Sequence, residues 1–318
     1  MRRSIESHIS DTGFKTIMKI LVTGGAGFIG KHLVQFLVEK EHLVTIFDNF
    51  SNSEKDSVAF LVNMGAKIIE GDITKLDDMI NAVNEHDIVV HLAAKISVEE
   101  SIKNPSETFH INVDGTRNVL VACEKNHVKK LIVASSAAVY GESLPDVKLI
   151  EDSKIDPISP YGESKVMMER EISEFIAKYN INCIILRFFN IYGVGQSPEY
   201  AGVITKFIKR IATNKPLEIF GDGMQTRDFV SIKDVINSIY NAIENGKNGT
   251  YNIASGKAIT VKELAELMIS LSGKDFDIIF NDAKKGDIRF SQADISLAKN
   301  ELKYLQKYGL EEIKNLIN

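Results

Sequence analysis

"KILVTGGAGFIG", residues 19–30, joins a short apolar run to a glycine turn and then to the start of an amphipathic segment. The run has the composition of a strand, and residues 28–40 carry apolar side chains at helical spacing. Gly24, Gly27 and Gly30 follow one another at G-x-x-G-x-x-G spacing. Gly24 permits a tight turn, Gly27 lets backbone approach a pyrophosphate, and Gly30 lets the helix pack closely on the strand. The first helical residues, Phe28 and Ile29 among them, then present N–H donors and the positive end of a helix dipole. A glycine pattern alone is weak evidence. Set between a strand and a helix, it points to dinucleotide binding.

Asp48 ends the next apolar run, "LVTIFD" (43–48), 18 residues after Gly30. A carboxylate there can bind the adenosine ribose hydroxyls and would repel a 2′-phosphate, which favours NAD over NADP. The bland reading is a solvated turn aspartate in "DNFSNS". "GDI" (71–73) ends a third run, where Asp72 can meet the adenine amine.

The same alternation continues outward. Strands are expected at 19–24, 43–48, 66–72, 87–93, 129–136 and 182–188, and helices at 28–40, 76–84, 112–126 and 161–179. Strands spaced by helices imply a parallel sheet covered on both faces. The fold class is therefore α/β: a doubly wound parallel-sheet Rossmann domain with a smaller mixed α/β domain for the substrate. The Rossmann domain is expected over 18–188, with return segments near 229–254 that include a strand at 250–253. The substrate-binding domain is expected over 189–318, with helices at 203–213, 260–271, 294–302 and 310–317. Residues 1–17 fit no apolar period and are expected to be a disordered tail or a mis-assigned start, with Met18 the true one.

Composition narrows the function classes. The chain has 318 residues, 44% hydrophobic and 25% charged, with a net charge of −5 and no basic stripe, which argues against nucleic acid or an anionic membrane as the main partner. No apolar run reaches the roughly 18 residues of a membrane span, and residues 1–17 lack a signal-peptide core. Cys123 and Cys183 fall in apolar segments and read as buried free thiols rather than a disulfide or metal site. The cytoplasm is the expected compartment, and no metal is expected.

"YGESK" places Tyr161 and Lys165 at i and i+4, on one helix face. A neighbouring ammonium favours the phenolate, which makes tyrosine a usable base nearer neutral pH. Ser136, at the end of the strand "KKLIVASS", can steady both the phenolate and a substrate oxygen, since ligands of open α/β sheets bind at that edge. Asn112, in "INVDGT", starts a helix and can hold a water or carbonyl that orients Lys165.

With these residues in place, the sequence resembles the extended short-chain dehydrogenase/reductase family. It is most similar to the UDP-glucose and UDP-N-acetylglucosamine 4-epimerases. The likeness runs from Met18 to about residue 302 and rests on "TGGAGFIG", "DNFS", "GDI", "HLAA", "NVDGT", "SSAAVYG", "YGESK", "LRFFNIYG", "GDGMQTRDFVSIKDV" and "GDIRFSQADISLAK". The resemblance implies that Tyr161 is the base, that Lys165 lowers its pKa and binds the nicotinamide ribose, and that Ser136 bonds the sugar O4. It implies NAD contacts from Asn49 and Ser51, from Ile73, and from Leu92, Ala93 and Ala94. It implies substrate contacts from Asn190 and Arg227 to the diphosphate, and from Ser97, Val203, Asp287 and Ser291. Two departures stand out. Lys284 sits where the family often has an arginine, with Arg289 as a candidate to compensate. Ser291 is small where a pocket wall varies, which admits UDP-glucose and UDP-N-acetylglucosamine alike.

The resemblance thus implies a nucleotide-sugar 4-epimerase working through a 4-keto intermediate, on a UDP-sugar or, alternatively, a dTDP-sugar. A homodimer through helices 112–126 and 161–179 is implied as well. The rivals are another sugar-nucleotide redox enzyme (a 4,6-dehydratase, decarboxylase or 4-reductase) and a non-catalytic NAD sensor. Family dehydratases carry an acid and a base beside the serine, typically Asp-Glu, and decarboxylases tend to carry a glutamate. Here Ala137 and Ala138 stand there instead. A sensor would typically have lost Tyr161 or Lys165.

Overall fold

A computed structural model describes residues 16–179, 181–196, 202–283 and 287–317. The first half runs β1 (Lys19–Thr23), α1 (Phe28–Glu39), β2 (Leu43–Asp48), α2 (Ala59–Asn63), β3 (Lys67–Glu70), α3 (Leu76–Val83) and β4 (Ile88–His91). It continues through α4 (Val98–Lys103), α5 (Pro105–Phe109), α6 (Gly115–Lys125), β5 (Lys130–Ser136), α7 (Pro160–Tyr179) and β6 (Cys183–Phe188). The second half begins with β7 (Asn190–Tyr192), α8 (Val203–Ala212), β8 (Leu217–Phe220), β9 (Thr226–Ser231), α9 (Ile232–Asn245) and β10 (Gly249–Ile253). It ends with β11 (Ala258–Thr260), α10 (Val261–Ser272), β12 (Ile278–Asn281), α11 (Ser296–Glu301) and α12 (Lys314–Ile317).

Seven parallel strands form the main sheet in the order β10-β6-β5-β4-β1-β2-β3. Its strands are apolar because both faces are covered: all six residues of β6, for instance, are buried. One face packs under α1 and α9, the other under α3, α6 and α7. The chain winds outward from β1 to β3, then crosses back to β4, so the winding reverses between β1 and β4. That reversal opens a crevice at the carboxyl ends of the strands, where ligands of such sheets bind. Cys123 and Cys183 are buried free thiols, and burial pushes both thiols well up.

A second apolar core joins α8 and α10 with β8 and β9. The three-stranded sheet β11-β9-β7 and the pair β12-β8 belong to this half. The chain returns to the main sheet through α9 and β10, which pairs parallel with β6 from Gly249↔Ile184 to Ile253↔Phe188. Helix α9 was not among the expected helices. Its buried Ile232, Val235, Ile236, Ile239 and Ile243 recur at helical spacing, and each such side chain is worth about 1.5–3 kcal/mol on burial.

One expected element is corrected. Residues 112–126 are not a single α-helix: His110–Asp114 is a π turn, and the α-helix begins at Gly115. A Cβ on Gly115 would lie 2.7 Å from Ile73 Cδ1, so the helix packs closely on that side chain. The wide turn aims the buried Asn112 amide at the chain leaving β4, a placement typical of π bulges near functional sites. No helix among the described residues is long and apolar enough to cross a membrane.

Candidate active site

The glycine turn is built for close approach. Gly24 has φ +68°, and a Cβ there would sit 2.7 Å from Ala93 N. A Cβ on Gly30 would lie 2.6 Å from Gly25 Cα, so the first turn of α1 rests directly on the glycine turn. Gly27 is the N-cap of α1, no side chain caps the helix, and its first turn holds no carboxylate. The leading N–H groups, at Phe28 and Ile29, are thus left to a ligand. Asp48 Oδ2 accepts from Ala26 N at 3.0 Å and Oδ1 from Phe50 N at 2.9 Å, which fixes the carboxylate against the turn. Asn49 donates to Asp72 Oδ2 (3.3 Å), and its own Oδ1 accepts from Ser51 N (3.1 Å). Ile73 is buried, its side chain against Gly115 and its carbonyl accepting from Asn118 Nδ2 at 2.9 Å. A bare cradle, an uncapped helix end and a fixed carboxylate fit a dinucleotide.

The "HLAA" segment is held by a buried chain of hydrogen bonds. Thr116 Oγ1 donates to Asn112 O at 2.6 Å, so it accepts from His91 Nε2 at 3.0 Å. His91 Nδ1 is then the acceptor for Thr23 Oγ1 at 2.7 Å, and Thr23 Oγ1 accepts from Ala93 N at 3.3 Å. Burial, reinforced by the Lys165 charge, pushes His91 down to about 3, so the ring is neutral and the bond directions set its tautomer. The chain pins Leu92, Ala93 and Ala94, half-exposed, along the crevice.

Tyr161 and Lys165 lie one turn apart at the start of α7, facing the carboxyl end of β5. Burial raises the Tyr161 phenol, and the Ser136 hydroxyl opposes that rise. Ser136 Oγ also accepts from Ala138 N at 3.2 Å, and the Ala138 carbonyl lies so close to Gly162 that a Cβ there would sit 2.6 Å away. The turn "SSAAV" is therefore seated against the head of α7. Lys165 is buried at 3% exposure. Its Nζ donates to Ala134 O at 2.9 Å. Burial lowers it to about 8, against the opposing pull of Glu169.

Lys165 and Asn112 have these partners. The Lys165 ammonium donates to the Ala134 carbonyl, and burial leaves the Tyr161 phenol raised. Asn112 holds a backbone carbonyl, that of Lys95. Its Oδ1 accepts from Lys95 N (2.8 Å) and its Nδ2 donates to Lys95 O (3.0 Å) and Ser164 Oγ (2.9 Å). With all three bonds made, Asn112 holds the 95-loop and α7 in register.

The substrate side is built from ion pairs. Arg227 NH2 meets Asp287 Oδ1 at 2.5 Å and its NH1 donates to Thr226 O at 2.8 Å. Asn190 Nδ2 donates to Asp228 O at 3.1 Å. Arg289, expected to compensate at the diphosphate, forks onto Asp222 at 2.6 and 2.7 Å. Glu142 accepts from Arg289 N at 2.7 Å and Phe290 N at 2.9 Å, tying the 287–291 segment to the loop after β5. Ser291 is buried in that segment, and Val203 opens α8. Ser97, expected at the sugar, caps α4: its hydroxyl accepts from Glu100 N at 3.1 Å. Lys284 lies outside the described residues. The sequence reading missed Glu142, Asp222, Thr23, Thr116 and the cluster around Glu169; only Glu169, four residues after Lys165, carried a local signal.

Residues 20–254 match the NAD dependent epimerase/dehydratase family. A putative UDP-glucose 4-epimerase of Methanocaldococcus jannaschii is 39% identical over 306 residues, covering 94% of this chain and 97% of that relative. The structure of a UDP-glucose 4-epimerase from Thermotoga maritima, with UDP-glucose, superposes with a TM-score of 0.89 at 35% identity, over 94% of this chain and 97% of that one. A UDP-N-acetylglucosamine 4-epimerase from Methanobrevibacter ruminantium superposes at 0.87 with 34% identity, over 95% and 96%. Matching over most of its length in both sequence and fold, the chain belongs to the NAD dependent epimerase/dehydratase family.

Proposed function

We propose that this protein is an NAD-dependent 4-epimerase of a UDP-hexose, interconverting UDP-glucose and UDP-galactose and admitting their N-acetyl forms. The observation that carries the reading is the site at the end of β5: a Ser136–Tyr161–Lys165 set beside two bare alanines. Held at the glycine turn and beside Asp48, NAD would supply the hydride acceptor and donor for the sugar C4. Tyr161 would take the C4 hydroxyl proton and return it to the C4 oxygen once the 4-keto sugar has turned its other face. Ser136 holds the C4 oxygen and supports the phenolate. Lys165 supplies positive charge beside the ribose-binding edge. Arg227 and Asn190 hold the diphosphate, so the sugar can turn while the nucleotide stays.

Removing water from the sugar, as a 4,6-dehydratase does, needs a further acid and base, and Ala137 and Ala138 offer neither. Ser291 keeps the wall small, which favours tolerance of an N-acetyl group. The homodimer through the outer faces of α6 and α7 is part of this proposal. A coupled assay with UDP-glucose, UDP-galactose, their N-acetyl forms and UDP-glucuronate tests it. Interconversion of the neutral sugars with unchanged product mass is expected; none with NAD bound would refute the reading.

A further inference from the structure

A row of polar side chains crosses the main sheet where an apolar row would be expected. In the β-sheet register Ser135 on β5 lies opposite Arg187 on β6, and Arg187 lies opposite Asn252 on β10. All three are buried, at 4%, 6% and 0% exposure. Glu169 of α7 closes the row. Its Oε1 accepts from Ser135 Oγ at 2.5 Å and Arg187 Nε at 3.0 Å, and its Oε2 from Arg187 NH2 at 2.7 Å. Arg187 NH1 donates to Tyr140 OH and Glu151 O, both at 2.8 Å, and Tyr140 OH donates to Asn252 Oδ1 at 2.7 Å.

Stability does not account for this row. A buried ion pair loses so much hydration that apolar residues of similar volume serve as well or better. Its placement is more telling. Tyr161, Lys165 and Glu169 stand at i, i+4 and i+8 on α7. Lys165 grips Ala134 O and Glu169 grips the Ser135 hydroxyl, so two consecutive residues of β5 are tied to one helix face immediately before Ser136. The charged and titratable groups near Lys165 are Glu169 and Tyr161 on α7, neutral His91 on β4, and Arg187 on β6 behind Glu169.

We propose that Glu169, locked by Arg187, is a positioning residue for the redox step: through the Ser135 hydroxyl it fixes Ser136 against Tyr161, and its carboxylate stands on the helix face that carries the Lys165 ammonium. This rests on Ser136, Tyr161 and Lys165 being the reacting set. Removing the Glu169 charge takes away a negative group that favours the ammonium and leaves Arg187 without its carboxylate partner. Both changes make Lys165 lose its proton at lower pH.

The test compares the NAD-loaded wild type with Glu169→Gln and Ser135→Ala. Two readouts are used: pH profiles of kcat and KM, and a 13Cε-lysine NMR titration assigned with Lys165→Met. Folded Glu169→Gln should lower kcat about tenfold or more, with KM changed less than about threefold, and move the Lys165 midpoint down by about half a pH unit or more. Ser135→Ala keeps the ion pair, so its midpoint should stay while kcat falls about threefold. A folded Glu169→Gln with wild-type kcat and midpoint would overturn the proposal, as would one that loses only KM or NAD affinity. If Glu169→Gln does not fold, Ser135→Ala decides: unchanged kcat rejects the brace. If no UDP-hexose is turned over, the epimerase reading fails. The NMR titration then still tests the coupling of Glu169 to Lys165: an unshifted midpoint in Glu169→Gln rejects the proposal, and a downward shift sustains that part of it.

Discussion

Two arginine forks on carboxylates, nearly identical in length, do different work in this molecule. Arg187 meets Glu169 at 2.7 Å with side chains only 8% and 11% exposed. Arg289 meets Asp222 at 2.6 Å with side chains 42% and 56% exposed. The first is sealed between α7 and three strands, where breaking it strands a charge in the core. The second lies in water, where its attraction is screened and its partners are readily exchanged. Under the proposed function, the chemical half of the site is the rigid one and the half that grips the nucleotide sugar the adjustable one. The proposed epimerisation suits this division, since the proton path would stay fixed while the sugar turns over.

The comparison is tested most severely at Tyr161. Tyr161→Phe keeps the ring and loses the proton carrier, and kcat should fall by about 10³-fold or more with NAD still bound. Persisting turnover, measured by the coupled assay, would remove the rigid half's central role. Arg227 sits between the two extremes, with side chains 14% and 38% exposed in its pair with Asp287. Arg227→Ala should raise KM for the UDP-sugar about 10–100-fold while kcat changes little, because a bidentate phosphate grip acts on binding. A loss in kcat alone would place Arg227 in the rigid half.

Protonation sharpens the contrast next. Burial holds Lys165 at about 8, below its ordinary 10.5. Its ammonium is present below that pH and is lost as pH rises through it, so kcat should fall along an alkaline limb near 8. The buried neutral His91, pushed down to about 3, contributes nothing between pH 5 and 9. A kcat profile flat to pH 10 would mean that the Lys165 charge is not used.

The two halves were also unequally legible. The glycine turn and the Tyr161–Lys165 pair lie within single strand–turn–helix or helix segments, where spacing translates directly into a shared face. Helix α9 was equally readable from Ile232, Val235, Ile236, Ile239 and Ile243 but lay beyond the regular alternation that guided the reading. The π turn at His110–Asp114 had no local signal, since its neighbours, Lys95 on Asn112 and Ile73 on Gly115, come from other elements. The Ser135–Arg187–Asn252 row becomes visible only once β5, β6 and β10 are in register. Glu142 and Arg289 are 147 positions apart, and no periodicity links them. Lys165's grip on Ala134 O, rather than on the phenol side, is a packing outcome that i, i+4 spacing cannot specify.

The smallest effect belongs to the exposed fork. Asp222→Asn leaves Arg289 in water with its backbone N–H still on Glu142, so the 287–291 segment keeps its anchor and loses only a screened attraction. KM for the UDP-sugar should change less than about threefold at 0.15 M salt, with no measurable shift in the unfolding midpoint. Glu142→Ala should do more, because two backbone N–H groups lose their acceptor and Asp287 and Ser291 ride on the segment they hold. If Asp222→Asn were the more damaging of the two by KM, the exposed fork would be carrying the segment. The adjustable half would then owe its position to side-chain charge rather than to backbone anchoring.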